Sequence, residues 1–420
     1  MKNKSLFDLS ISLTFFFIIV LSFFLYIDNL NYLHHKNSFI QNTIDPNSGV
    51  GDSYNFFYDK NDDIFKKYLD DIVYTIEIGK FYPSNNYNFA MFTKLFDRNL
   101  YLIYAFNLFF YLYFFFKFTF FFKKKNLVTY CILSSLNILI LGSLSIPNKD
   151  ILCYFSFNAI LLYYLKRNYK FLFIAFFFGA VSRHEIIILY ILILIINSNF
   201  FLQINNFLIK KSKFFFIIFT YILMYLISLF FFIITIDYFI FIKYFFFYIF
   251  KIFFFYILLR SFIKKIDNYL FCKISYLALF IIFLSIFVTK YYWFTGSAFI
   301  INDNTGSYGL SKLIYEISLK GFLFIVYPFK ILISLFGNVF QKINFTSYET
   351  ILSYWSQLLF FILFFFIIVK RNFTKNLDFL FVILPTLIVF SMPAFHTHRY
   401  VWFVYQYFVL TSLLYKDIKK

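Results

Sequence analysis

Apolar runs long enough to cross a lipid bilayer recur from one end of the chain to the other, with short polar loops between them. They predict about twelve helical spans: 6–27, 99–122, 127–146, 151–165, 171–183, 186–205, 214–236, 239–259, 275–289, 350–369, 377–394 and 401–415. Roughly twenty apolar residues in a helix cover the hydrocarbon thickness of a membrane. Such segments must be helical, because lipid offers no partner to an unpaired backbone group. The pattern predicts an all-α integral membrane protein, a single polytopic domain over residues 1–420. The shorter runs 151–165 and 171–183 call for tilt or local thinning of the bilayer.

The loops alternate in charge. Basic groups fall at Lys123-Lys124-Lys125, Lys166-Arg167, Lys210-Lys211, Lys264-Lys265, Lys370-Arg371 and in the tail from Lys416 to Lys420. That spacing is the positive-inside distribution and places both termini in the cytoplasm. Gly321 to Phe340 is moderately apolar. Counting it as a span would move Lys370-Arg371 outside, so we read 321–340 as a re-entrant or interfacial helix interrupted at Pro328 and Gly337.

Two larger outer loops follow, 28–98 and 290–349. The first carries ten Asp/Glu against seven Lys/Arg, as expected of an exported segment. Within it Ile64, Phe65, Tyr68, Leu69, Ile72, Val73 and Ile76 keep helical spacing and predict an amphipathic helix on the membrane surface.

Composition agrees. Apolar residues make up 62% of the chain, and there are 75 Phe against 10 Gly. The net charge of +19 would suggest nucleic acid, but its basic residues lie in short loops rather than a soluble domain, so no nucleic-acid partner is expected. The start, basic and then apolar to Ile27, resembles a signal peptide without a small-x-small cleavage site, and is read as an uncleaved anchor and first span. Cys131, Cys153 and Cys272 form no CxxC pair and suit buried apolar positions better than a disulfide or zinc site.

Polar clusters gather at the outer ends of the spans. Ionisable groups at membrane level are costly, so each cluster is a candidate site. In "GVGDSYNFFYD", Asp52 either fills a turn or acts as a general base toward a hydroxyl. In "SIPNKDIL", Asn148 caps the next helix or Lys149 contacts an anion. In "GAVSRHEIIILY", Arg183, His184 and Glu185 share a tight junction, where Arg183 pairs with Glu185 or binds an anion. In "SMPAFHTHRYVWF", His396 and His398 form an H-x-H pattern that could hold a metal. Neither a carboxylate nor a cysteine stands beside it, and a phosphate clamp by Arg399 with histidine help fits better.

These clusters, in this layout, resemble the GT-C superfamily of polytopic glycosyltransferases and the related O-antigen (Wzy) and EpsG-type polysaccharide polymerases. The resemblance rests on the early acid in "GDSYNFFYD", the Pro-x-Lys-acid turn "PNKD", the Arg of "GAVSRHEI" after a basic cytoplasmic turn, and the closing "HTHRY". The turn carries Asp150 where related turns often have Glu, and the soluble C-terminal domain of many GT-C members is missing. The resemblance implies sugar transfer from a polyprenyl-phosphate or polyprenyl-diphosphate donor to a glycan acceptor, at the outer face of a bacterial inner membrane. Asp52 would be the base, with Lys149 and Arg183 near the lipid phosphates and His184, His396, His398 and Arg399 beside them. Tyr291, Tyr292 and Trp293 could stack on sugar faces. No GxGxxG or P-loop is present, so a nucleotide-sugar donor is not expected. No cofactor is required, and a divalent metal stays open. Two rivals make different demands. A transporter or flippase of a lipid-linked glycan needs charge deep in the spans. An assembly protein without chemistry needs none of the polar clusters.

Overall fold

In a computed structural model, the described residues are 2–33, 85–97, 99–145, 148–196, 331–337, 348–369 and 401–413, with a few single positions besides. Among them every regular element is helical. In chain order these are α1 (Lys2–Leu33), α2 (Asn85–Lys94), α3 (Leu100–Thr119), α4 (Lys124–Leu136), α5 (Ile138–Leu144), α6 (Lys149–Lys166), α7 (Tyr169–Ser182), α8 (His184–Ile196), α9 (Tyr348–Val369) and α10 (Tyr405–Leu413), the last entered through a 3-10 turn at Trp402–Val404. The predicted spans 214–236, 239–259 and 275–289 and the surface helix at 64–76 lie outside the described residues, as does most of 321–340 and of 377–394.

Two helices, Leu9–Asp28 within α1 and Leu100–Thr119, are long and apolar enough to cross a membrane. Their outward faces are apolar. On α1, Leu9, Leu13, Phe16, Phe17, Val20, Phe24 and Ile27 are exposed, while Ile18, Ser22 and Leu25 face inward. Phe173 and Phe177 on α7, and Phe365, Phe366, Ile368 and Val369 on α9, are likewise exposed. An apolar shell of this extent is what a lipid-facing surface requires and what a water-facing one avoids.

The centre is α6. From Asp150 to Leu162 every residue of it is buried. A helix apolar nearly all round has no solvent face to offer and becomes the core. It forms an antiparallel hairpin with α7 through Arg167, which takes a left-handed backbone (φ 52°) to turn the chain. Ser156 Oγ donates to the Ala175 carbonyl across this hairpin at 2.7 Å. Gly179 permits the close approach, since a Cβ there would meet Ile186 Cγ2 at 3.3 Å and Ser156 Oγ at 3.4 Å.

The run 127–146, expected as one continuous span, is broken. Its two halves bend by 60° at Asn137. The Asn137 side chain accepts from the Ile140 amide and so starts α5. The break releases carbonyls of α4 that would otherwise be paired one turn on. Three are taken by side chains from distant elements: Leu133 by the Tyr405 hydroxyl at 2.9 Å, Ser134 by the Tyr111 hydroxyl at 2.8 Å, and Leu136 by the Trp355 indole at 2.7 Å. No proline causes this bend; tertiary hydrogen bonds hold it. Trp355→Phe keeps the aromatic bulk but strands the Leu136 carbonyl. The expected cost is about 1–3 kcal/mol, seen as a lower Tm of the detergent-purified protein. An unchanged Tm would show that this bond does not hold the break.

Basic turns gather at one end of the bundle. Lys166 Nζ lies over the Phe120 and Phe121 rings, 5.7 and 5.3 Å from their centroids, beside the Lys123 junction. At the same end Asn126 donates to the Leu413 carbonyl, where α10 finishes. At the opposite end, Tyr26 of α1 stacks on Tyr104 of α3, and α2 packs on the close of α7 through Asn88 and the Ala180 carbonyl. Helix α9 meets Leu136 and Asn137 through Trp355 and Ser356, then the start of α10 through Phe360 and Tyr405. It therefore runs toward the basic end, the direction that loop charge demanded of Lys370-Arg371.

Candidate functional site

Two of the polar clusters meet at the end of the α6–α7 hairpin away from the basic turns. Asn148 is the N-cap of α6, and its side-chain oxygen accepts from the Asp150 amide at 2.9 Å. This anchors the turn and fixes Lys149 and Asp150 as the first residues of the helix. On the facing strand of the hairpin, Arg183 ends α7 in an extended conformation (φ −154°, ψ 110°), its amide donating to the Gly179 carbonyl.

These two terminations bring the side chains together. Arg183 Nη2 donates to Asp150 Oδ1 at 2.8 Å. The Asp150 side chain is 2% exposed and that of Arg183 14%. A buried carboxylate is tolerated only with a partner, and here the partner is a guanidinium, whose fork fixes direction as well as charge. Arg183, expected to pair with its sequence neighbour Glu185 or to bind an anion, thus has an ion pair with Asp150, 33 residues back. His184 and Glu185 open α8 directly after it and are described here by their backbone alone.

The site is roofed by elements from elsewhere. Phe178, one turn before Ser182, packs edge-on against Phe106 and Phe110 of α3. Phe92 of α2 completes that aromatic cluster. Trp402, three residues after Arg399, lies 6.1 Å from Tyr154, one turn into α6 from Asp150. The start of α10 and its preceding turn are thus packed against the same face of α6.

Asp52, His396, His398 and Arg399 lie outside the described residues. Of the candidate residues described, Lys149 and Arg183 come to one end of the hairpin, around Asp150. Among the described residues no three His, Cys, Asp or Glu side chains gather as metal ligands. Cys131 and Cys153 are free and buried.

Two polar residues escaped the sequence reading. Asp28, at the end of the first apolar run, is only 9% exposed. Its signal in the sequence is an acid that directly closes an apolar run, followed by a longer acidic loop that contains Asp52. Asn158, in the middle of α6, is fully buried. Its polarity was hidden by the apolar residues on either side.

No protein-family model, curated protein or solved structure matches the chain.

Proposed function

We propose that the protein is a polytopic membrane glycosyltransferase or polysaccharide polymerase, taking sugar from a polyprenyl-phosphate- or polyprenyl-diphosphate-linked donor at the outer face of the membrane. The observation that carries this reading is the Asp150–Arg183 pair. It is an oriented ion pair with a buried carboxylate and a part-buried guanidinium, at the end of an apolar-shelled bundle opposite its basic turns. At that interface a lipid phosphate would present its charge, and a guanidinium held in place stabilises phosphate leaving without reorganising.

In this reading Arg183 and Lys149 contact the donor phosphates, and Asp150 is a positioning residue that fixes the Arg183 head. Asp52 takes the proton of the acceptor hydroxyl. His184, His396, His398 and Arg399 complete the anion site. The reaction breaks the bond between the anomeric carbon and the phosphate oxygen and forms a glycosidic bond to the acceptor oxygen. The acceptor proton goes to the base, and polyprenyl phosphate or diphosphate leaves. Release of that lipid coupled to sugar transfer is the reaction to measure.

The placement of charge supports an enzyme over a transporter. A transport path through the spans would put ionisable groups at mid-depth. Among the described residues the buried charged side chains are Asp28 and Asp150, both at the end away from the basic turns, and the buried polar groups between are neutral.

The proposal requires that end to face outward. Reporter fusions after Lys125, Lys213 and Lys375 are expected to report cytoplasm. Fusions within 40–60 and near His396 are expected to report the exterior. An exterior signal at Lys375 would make 321–340 a true span and put the basic end on the wrong side.

A further inference from the structure

Beneath the ion pair, α6 carries a polar stripe. Asp150, Tyr154 and Asn158 are spaced four residues apart, so they fall on one face of the helix. The stripe reaches about 12 Å from the end of the bundle toward its middle, at 1.5 Å per residue.

Asn158 ends the stripe. It is fully buried, and neither its amide oxygen nor its amide nitrogen has a hydrogen-bond partner. The Tyr154 hydroxyl is near enough to interact with it, but the two do not meet hydrogen-bond geometry. Neighbouring polar groups are committed elsewhere: the Tyr111 hydroxyl to the Ser134 carbonyl, and Ser156 to the Ala175 carbonyl and the Tyr190 hydroxyl. Leaving both ends of an amide unsatisfied in a dry core costs the full desolvation of each group, and native interiors rarely accept it.

Tyr154 is 4% exposed, the most of any residue from Asp150 to Leu162, while Phe155, Phe157 and Asn158 are fully enclosed. Its ring is held between Tyr111 (centroids 6.0 Å apart) and Trp402 (6.1 Å). The stripe therefore has one amide with both of its polar atoms needing partners, and a tyrosine hydroxyl close by.

We propose that the Tyr154–Asn158 step is a binding site for ordered water. The bound water bridges the Asn158 amide to the Tyr154 hydroxyl. A buried water needs two to four polar partners and room for one probe sphere, and these residues supply the partners. The proposal does not depend on the catalytic reading of the outer end.

X-ray radiolytic footprinting of the detergent-purified full chain tests it, because hydroxyl radicals formed from bound water label the side chain they touch even when bulk solvent cannot reach it. Tyr190 is the control, being buried as well (1% exposed against 4% for Tyr154) and hydrogen-bonded to Ser156. Tyr154 is expected to label several-fold faster than Tyr190 in the wild-type protein, and in Asn158→Leu its rate is expected to fall to that of Tyr190. Labelling of wild-type Tyr154 no faster than Tyr190 overturns the site, and this comparison stands whether or not the variant folds. Undiminished labelling in a folded Asn158→Leu overturns Asn158 as the residue that holds the water. A second readout is thermal unfolding: removal of an occupied site lowers the Tm of Asn158→Leu, whereas removal of an orphaned amide from a dry core raises it.

Discussion

Arg183→Ala is expected to destabilise the protein by about 3–5 kcal/mol, because it leaves a carboxylate that is 2% exposed without its guanidinium partner. Asp150→Ala is expected to cost less. The Arg183 side chain keeps 14% exposure and can move its charge toward solvent or headgroups. The double variant Asp150→Ala/Arg183→Ala is expected to fall well short of the sum of the two, since both single substitutions remove the same ion pair. Chemical or thermal unfolding in detergent reads all three. Additive costs would mean that the pair is not coupled. The same series probes positioning: Asp150→Glu, which retains the charge, is expected to recover glycan product more fully than Asp150→Asn at equal protein abundance.

Asp52→Asn is expected to lower glycan formation by roughly 10²–10⁴-fold, the usual contribution of a general base, with the protein still inserted and abundant. Asp59→Asn and Asp62→Asn are expected to be mild, because their sequence setting is that of solvated residues. Asp28 gives the comparison its edge. It is a buried carboxylate that closes the long apolar stretch of α1. If Asp52→Asn forms product at a near-normal rate, the base assignment fails, and Asp28→Asn becomes the variant to measure. Product lost together with protein in membranes is read as a folding defect and leaves the assignment to the conservative variant Asp52→Glu.

Much of the helical layout was legible from periodicity and loop charge alone. The ends of α3, α6, α7 and α9 fall within a few residues of the predicted spans. The direction of α9 followed from one electrostatic argument, that Lys370-Arg371 must share a side with the other basic turns. What could not be read is what depends on contacts distant in sequence. Asn137 looks like one tolerated polar residue in an apolar run. It breaks the helix because Tyr111, Trp355 and Tyr405, from three other helices, take the carbonyls that the break exposes. Arg183 had an acidic neighbour two residues on and pairs with Asp150, because the tight turn at Arg167 returns α7 alongside α6 with the ends far from that turn level. Asn158 is invisible to composition. Its interest comes from what surrounds it, and a single Asn among apolar residues says nothing of whether its amide is satisfied.

The most direct test of the account is a transfer assay in proteoliposomes. Purified protein is reconstituted and supplied at its outer face with a pool of radiolabelled polyprenyl-linked saccharides extracted from cells. The account predicts label moving into longer or newly linked glycan, with polyprenyl phosphate or diphosphate released in step, and both signals lost in Asp52→Asn and reduced in Arg183→Gln. Labelled lipid that crosses the bilayer intact, without release of the polyprenyl carrier, would contradict it and identify a transporter.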